Sequence, residues 1–154
     1  MNKAPIILHS SEGCLHELAG VKLFVKANKE ETNGSWSLIE YHAPANFAGP
    51  PPHFHKMMEE TFYVLEGTPS FHLDGKKITG AAGSFIYIPV GMLHTFSNMS
   101  DVPAKFLVHM SPGGFEKYFD EVAALFKEEG KWPPSDMSKL INLFGKYDTY
   151  MPGN

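Results

Sequence analysis

His53-Phe54-His55-Lys56-Met57-Met58-Glu59-Glu60-Thr61-Phe62-Tyr63-Val64-Leu65-Glu66-Gly67 is the stretch on which the reading of this chain turns. In an extended strand, residues i and i+2 project from one face with Cα atoms about 6.7 Å apart, so the two imidazoles can converge on one metal ion. The pair alone is weak, because eight histidines in 154 residues give about 0.4 such pairs by chance. Its surroundings strengthen it. Glu60 opens an aromatic and β-branched strand, Thr61–Leu65, in which Glu60 and Phe62 share a face and Glu59 points the other way. A second stretch, Gly83-Ser84-Phe85-Ile86-Tyr87-Ile88-Pro89-Val90-Gly91-Met92-Leu93-His94-Thr95-Phe96-Ser97-Asn98, reads as a strand ending at Pro89, a tight turn at Gly91 and a new strand opened by His94.

Together the two stretches resemble the paired motifs of the cupin superfamily. His53, His55, Glu60 and Gly67 match the first motif, with four residues before the glutamate and six after it. Gly83, Pro89, Gly91, His94 and Asn98 match the second at every position. One departure stands out: three residues separate Gly49 from His53, where the family has five. Within the superfamily the chain is most similar to the small quercetin-dioxygenase-like cupins. The resemblance implies an all-β double-stranded β-helix, or jelly-roll barrel. Its wide end would hold one divalent metal on His53, His55, Glu60 and His94.

The remaining chain agrees with that architecture. Val21–Ala27, Ser35–His42, Ser70–Leu73, Lys76–Thr79, Phe85–Ile88, Thr95–Ser97 and Lys105–Met110 are further strand candidates. Asp74-Gly75 is the strongest short hairpin signal. Ala43–Pro52, with Gly49 and three consecutive prolines, must be a loop or extended connector. After Pro112 the period changes. Phe115, Tyr118, Phe119, Val122, Leu125 and Phe126 recur at helical spacing and Gly130 stops them. A break over Lys131–Pro134 precedes a second helix capped by Ser135, with Met137, Leu140, Ile141 and Phe144 on one face and Gly145 at its end. The helices are expected to pack against the β-structure or a second subunit. The expectation is a single domain over 1–154, with the barrel over about 1–110 and a helical appendage over about 112–154.

Composition excludes several classes. The net charge is −4, and no Lys/Arg run exists that could track a phosphate backbone, so nucleic acid is not an expected partner. No apolar stretch approaches the length that spans a bilayer, and the N-terminus lacks a signal-peptide pattern. Cys14 is the only cysteine, so no disulfide forms within the chain and no thiolate joins the ligand set. A cytoplasmic location is the expectation. A homodimer is expected from outward apolar strand residues and the amphipathic helices.

Three imidazoles and a carboxylate suit Fe, Mn, Ni, Cu or Zn and leave one or two coordination positions for a small-molecule substrate. Glu60 is also the candidate catalytic base, because the resemblance implies that it can loosen and accept the substrate proton. The leading expectation is a metal-dependent dioxygenase acting on a small phenol, enol or diketone. The alternatives are a redox-neutral isomerase or epimerase of a sugar or keto acid, and a ligand-binding module without turnover. Phe62 and Val64 share the ligand face and are expected in the pocket lining, while Tyr63 and Leu65 face outward. Phe96 shares the parity of His94. Asn98 is read as a turn or strand-end residue, Glu59 as a solvated neighbour, and Met57 and Met58 as entrance lining or packing. Glu40 is read as an exposed strand residue or an inward acid near the metal. His9, His16, His42, His72 and His109 are read as ordinary surface or strand histidines.

Overall fold

The computed structural model describes residues 4–130 and 135–153. The expected break at Lys131–Pro134 lies outside the described residues. The described strands are β1 (Cys14–Leu18), β2 (Val21–Ala27), β3 (Ser37–Ala43), β4 (Glu59–Glu66), β5 (Ser70–Leu73), β6 (Lys76–Thr79), β7 (Phe85–Ile88), β8 (His94–Ser97) and β9 (Ala104–Ser111). Two helices follow, α1 (Glu116–Glu129) and α2 (Met137–Lys146). All strand pairings are antiparallel. They form a six-stranded sheet in the order β1-β2-β3-β9-β4-β7 and a three-stranded sheet in the order β6-β5-β8. The mainly β architecture with two C-terminal helices is as expected.

Period-two patterning explains the core. Along β9, Ala104, Phe106, Val108 and Met110 are buried while the residues between them are half-exposed. Glu60, Phe62 and Val64 of β4 alternate inward in the same way. Between the sheets sits an aromatic centre: Tyr41 stacks on Phe106 at 4.9 Å between ring centroids, and Phe62 meets Phe71 at 5.2 Å and Phe96 at 5.3 Å. Phe62 and Val64 are wholly buried in this centre and do not line the cavity described below. The expectation failed because inward parity fixes the face and not the depth. Each step of two residues along β4 carries the side chain about 6.7 Å further from the mouth.

Several local expectations are corrected. β1 had no counterpart in the sequence reading. It is an edge strand whose residues are mostly exposed, so it carries no clean alternation. Helix α2 is capped by Asp136, whose side chain accepts from the Ser138 N–H at 2.9 Å, and not by Ser135. Gly145 lies inside α2 and Tyr147 closes it. Leu140 and Leu143 are the buried face of that helix, while Met137 and Ile141 are exposed. Helix α1 ends at Gly130 as expected. Val122 of α1 packs with Leu140 and Leu143, and Leu18 of β1, Tyr118 and Phe144 close around them.

The connector between β3 and β4 does more than link strands. Phe47 bridges to Asn98 and His53 bridges to His94, so the connector lies along β8. Gly49 makes that approach possible. Its φ is +84°, and a Cβ there would lie 1.6 Å from the Phe96 carbonyl oxygen. The motif glycine keeps its role despite the shortened spacing.

No described helix is long and apolar enough to cross a membrane.

Candidate metal centre

The β4 strand, the connector before it and the start of β8 bring four side chains to one end of the barrel. His53, His55, Glu60 and His94 are all buried, and one ligand atom from each lies within 4.8 Å of the others. Each imidazole is aimed by a backbone carbonyl. The Nδ1–H of His53 donates to Pro51 O at 2.8 Å, that of His55 to Asp148 O at 2.8 Å, and that of His94 to Met92 O at 2.9 Å. A carbonyl only accepts, so all three rings carry a proton on Nδ1 and turn Nε2 toward the centre.

The Glu60 carboxylate faces those nitrogens. Its Oε2 lies 2.9 Å from His94 Nε2, a hydrogen bond, and 3.7 Å from His55 Nε2. The longer distance is an electrostatic contact and not a hydrogen bond. His55 Nε2 is accordingly a buried nitrogen without a hydrogen-bond partner. Three imidazole nitrogens and a carboxylate converging on one point, with one buried nitrogen left unpaired, are a donor set suited to a cation. Ligand atoms sharing an ion at roughly 2.1 Å stand about 3.0 to 4.2 Å apart. The 2.9 and 3.7 Å contacts lie at or near that range, and the widest pair, within 4.8 Å, would have to draw in around a first-row divalent ion.

Electrostatics agree. Burial, helped by the neighbouring His94, lowers His53 to about 4, so its imidazole is neutral at ordinary pH. For Glu60, burial alone would raise the carboxyl, but the His55 and His94 imidazoles outweigh it and hold the acid well below the usual carboxylate range. For His55, burial favours the neutral form, but the adjacent Glu60 wins and raises it.

Beside the ligands is a cavity of about 90 Å³, reached by His53 and Glu60. The barrel contributes Ile39, Tyr41, Phe96, Val108 and Met110 to its wall. The C-terminal region contributes Phe115, Tyr118, Phe119, Phe144, Thr149 and Met151. Among the described residues, no lysine or arginine lines it. Burial pushes the Tyr41 and Tyr118 phenols up, so both stay protonated and can donate.

A protein-family model described as Cupin domain matches residues 40–110. The chain carries a cupin domain. Quercetin 2,3-dioxygenase of Bacillus subtilis (strain 168) is 29% identical over 116 residues, 75% of this chain and 34% of that protein. The polyketide synthase CurC of Streptomyces cyaneus is 38% identical over 60 residues, 39% of each chain. The chain thus spans about a third to two fifths of the length of these curated relatives. Among solved structures, a predicted oxalate decarboxylase of Thermotoga maritima superposes with a TM-score of 0.63 at 22% identity, covering 69% of this chain and 98% of that one. The likeness to that structure bears on the cupin fold alone.

Within this cupin the other sequence readings sort plainly. Asn98 is buried, its amide donates to Pro44 O and Val102 O and its Oδ1 accepts the Ser100 hydroxyl, so the side chain ties the end of β8 and stands outside the ligand cluster. Glu59 is exposed and accepts from the Tyr87 hydroxyl. Met58 packs in the core and Met57 is exposed, and neither lines the cavity. His9, His16, His42, His72 and His109 lie outside the cluster. Glu40 is neither exposed nor near the metal ligands. It is buried on the outer face of β3, paired with Lys26 at 2.9 Å and His42 at 2.7 Å, and its Oε1 accepts the Ser11 N–H. Of the two readings the outward face holds, but the N-terminal segment covers that face, so Glu40 is not exposed.

The sequence reading missed Tyr41, the helical wall residues and Asp148. The aromatic stripe of α1 was visible as helix packing. Its second use, as a cavity wall, carries no separate sequence signal.

Proposed function

We propose that this cupin holds one divalent transition metal on His53, His55, Glu60 and His94 and acts on a small phenol, enol or diketone as a dioxygenase-like oxidoreductase. The observation that carries the reading is the convergence of three carbonyl-aimed imidazole Nε2 atoms and a buried carboxylate beside an apolar, aromatic cavity. When bound, the metal supplies Lewis acidity toward a substrate oxygen and, for a redox-active ion, a partner for dioxygen.

The chain's own groups do the rest. Glu60 lies at the cavity and accepts the proton of an ionising substrate hydroxyl. Tyr41 and Tyr118 donate to a substrate oxygen and orient the ring. The apolar wall excludes water and strengthens each of these contacts. Size narrows the substrate: an engineered apolar cavity of about 150 Å³ holds one benzene, and this one is about 90 Å³. A short enol or diketone fits best, a single-ring phenol requires the walls to give, and a flavonol requires them to open much further. The lack of a lining lysine or arginine speaks against phosphosugars.

The similarity to the polyketide synthase CurC favours one second reading, a redox-neutral reaction on a polyketide-type substrate at the same site. Oxygen uptake by protein loaded in turn with Fe(II), Mn and Ni, against a panel of catechols, enols and β-diketones, separates the two. Uptake requiring metal and substrate together supports the oxidative reading. Product formation without oxygen and with zinc supports the second, and neither result across the panel defeats both.

A further inference from the structure

The segment after α2 runs beside the metal-ligand stretch and is joined to it by six hydrogen bonds. Tyr150 pairs with Phe54 through reciprocal backbone hydrogen bonds of 3.0 and 2.9 Å, so His53–His55 is flanked by His94 on one side and the C-terminal segment on the other. Asp148 O accepts the His55 Nδ1–H. The Asp148 carboxylate accepts the N–H groups of Lys56, Met57 and Met58 at 3.1, 2.8 and 2.8 Å. Thr149 and Met151 continue into the cavity wall. Asp148 adopts a left-handed conformation, φ +53°, which an Asp tolerates better than most side chains.

One residue therefore holds both the ring of His55 and the turn that follows it. His55 is also the ligand whose Nε2 has no other partner. With its Nδ1–H fixed on the Asp148 carbonyl, that Nε2 is the atom turned toward the centre. Without the carboxylate clamp, three N–H groups lose their acceptor and the turn at Lys56–Met58 is free to move His55. Asp148 lies outside residues 40–110, so the matched family region does not contain it.

We infer that Asp148 is a positioning residue of the metal centre, acting through His55, and that the C-terminal segment is a working part of the site. The inference rests on the metal-binding reading above. The test uses Co(II) as the probe with the full-length chain, reading affinity by chelator competition and ligand geometry by the visible spectrum. Asp148→Gly removes the clamp while accepting the left-handed backbone. Asp148→Asn keeps an acceptor without the charge.

Second-sphere groups of this kind typically contribute about 10- to 100-fold in metal affinity. Asp148→Gly is expected to weaken Co(II) binding by that range and to alter the spectrum. Asp148→Asn is expected to fall between it and the parent protein, with at least a roughly threefold loss that decides the matter if the glycine variant does not fold. Tyr150→Ala, which keeps the backbone pairing, is expected to leave affinity within about twofold. Parental affinity and spectrum in both Asp148 variants, with only the melting temperature lowered, would make Asp148 a structural clamp and overturn the inference. Failure of the parent protein to bind Co(II) would instead defeat the metal-binding reading on which the inference stands.

Discussion

Glu40 of β3 and Glu60 of β4 are both buried glutamates of one sheet, yet their surroundings are opposite in kind. Glu40 faces the Lys26 ammonium, the His42 ring and the Ser11 N–H, so its charge is matched by groups the chain supplies. Glu116, the third buried glutamate among the described residues, is matched by the N–H groups of Lys29 and Gly114. Glu60 faces only imidazoles: it hydrogen-bonds His94 Nε2, and beside it His55 Nε2 has no hydrogen-bond partner. A buried acid with a lysine and backbone N–H groups around it is a structural device. A buried acid among converging imidazole nitrogens, one of them unpaired, is half of a site whose other half comes from solution.

Breaking each cluster should give opposite results. His55→Ala is expected to take bound metal from one ion per chain to none at micromolar free metal, with the far-ultraviolet circular dichroism of a folded barrel retained. Elemental analysis after gel filtration checks this, and a melted protein would make the metal structural. Lys26→Met is expected to leave metal content unchanged and to cost about 3 kcal/mol in urea unfolding, because it strands the Glu40 charge. Metal loss in that variant would erase the distinction between the two clusters.

Acid titration of the metal-free protein sharpens the comparison. His53 is lowered to about 4, so the unfolded chain binds the extra proton first and stability falls as pH drops from about 6.5 toward 4. Glu40 is lowered to about 2, because the His42 and Lys26 contacts outweigh burial. Its contribution is present above the unfolded carboxylate range and is lost as pH falls toward 2. His55 runs the other way, since its raised value adds stability that is lost as pH rises through it. Chemical denaturation at a series of pH values should therefore show the His53 loss before the Glu40 loss. Removing the imidazole in His53→Ala should abolish only the first. Smallest of all, Glu59→Gln should change stability by less than about 0.5 kcal/mol and leave the metal in place, since its contact with Tyr87 is exposed.

What the sequence made legible follows from range. His53, His55 and Glu60 fall within eight residues, and strand parity alone puts the histidines on one face. The His94 segment was legible because proline and glycine punctuate it at fixed offsets. Asp148 was not legible, because its contact with His55 spans 93 residues and a lone aspartate after a helix carries no pattern. Glu40 was misjudged for a related reason. Periodicity gives the face of a strand but not what later covers that face, and here Lys26 and the segment around Ser11 do so. Depth was the third gap: Phe62 and Val64 share the face of Glu60 yet lie below the cavity.

The most direct measurement is anomalous X-ray scattering, recorded above and below transition-metal edges, from crystals of protein purified without a metal-affinity column. We expect one anomalous peak per chain within bonding distance of His53 Nε2, His55 Nε2, His94 Nε2 and a Glu60 carboxylate oxygen. A peak elsewhere, or crystals grown with added metal that show none at these four atoms, would contradict the account.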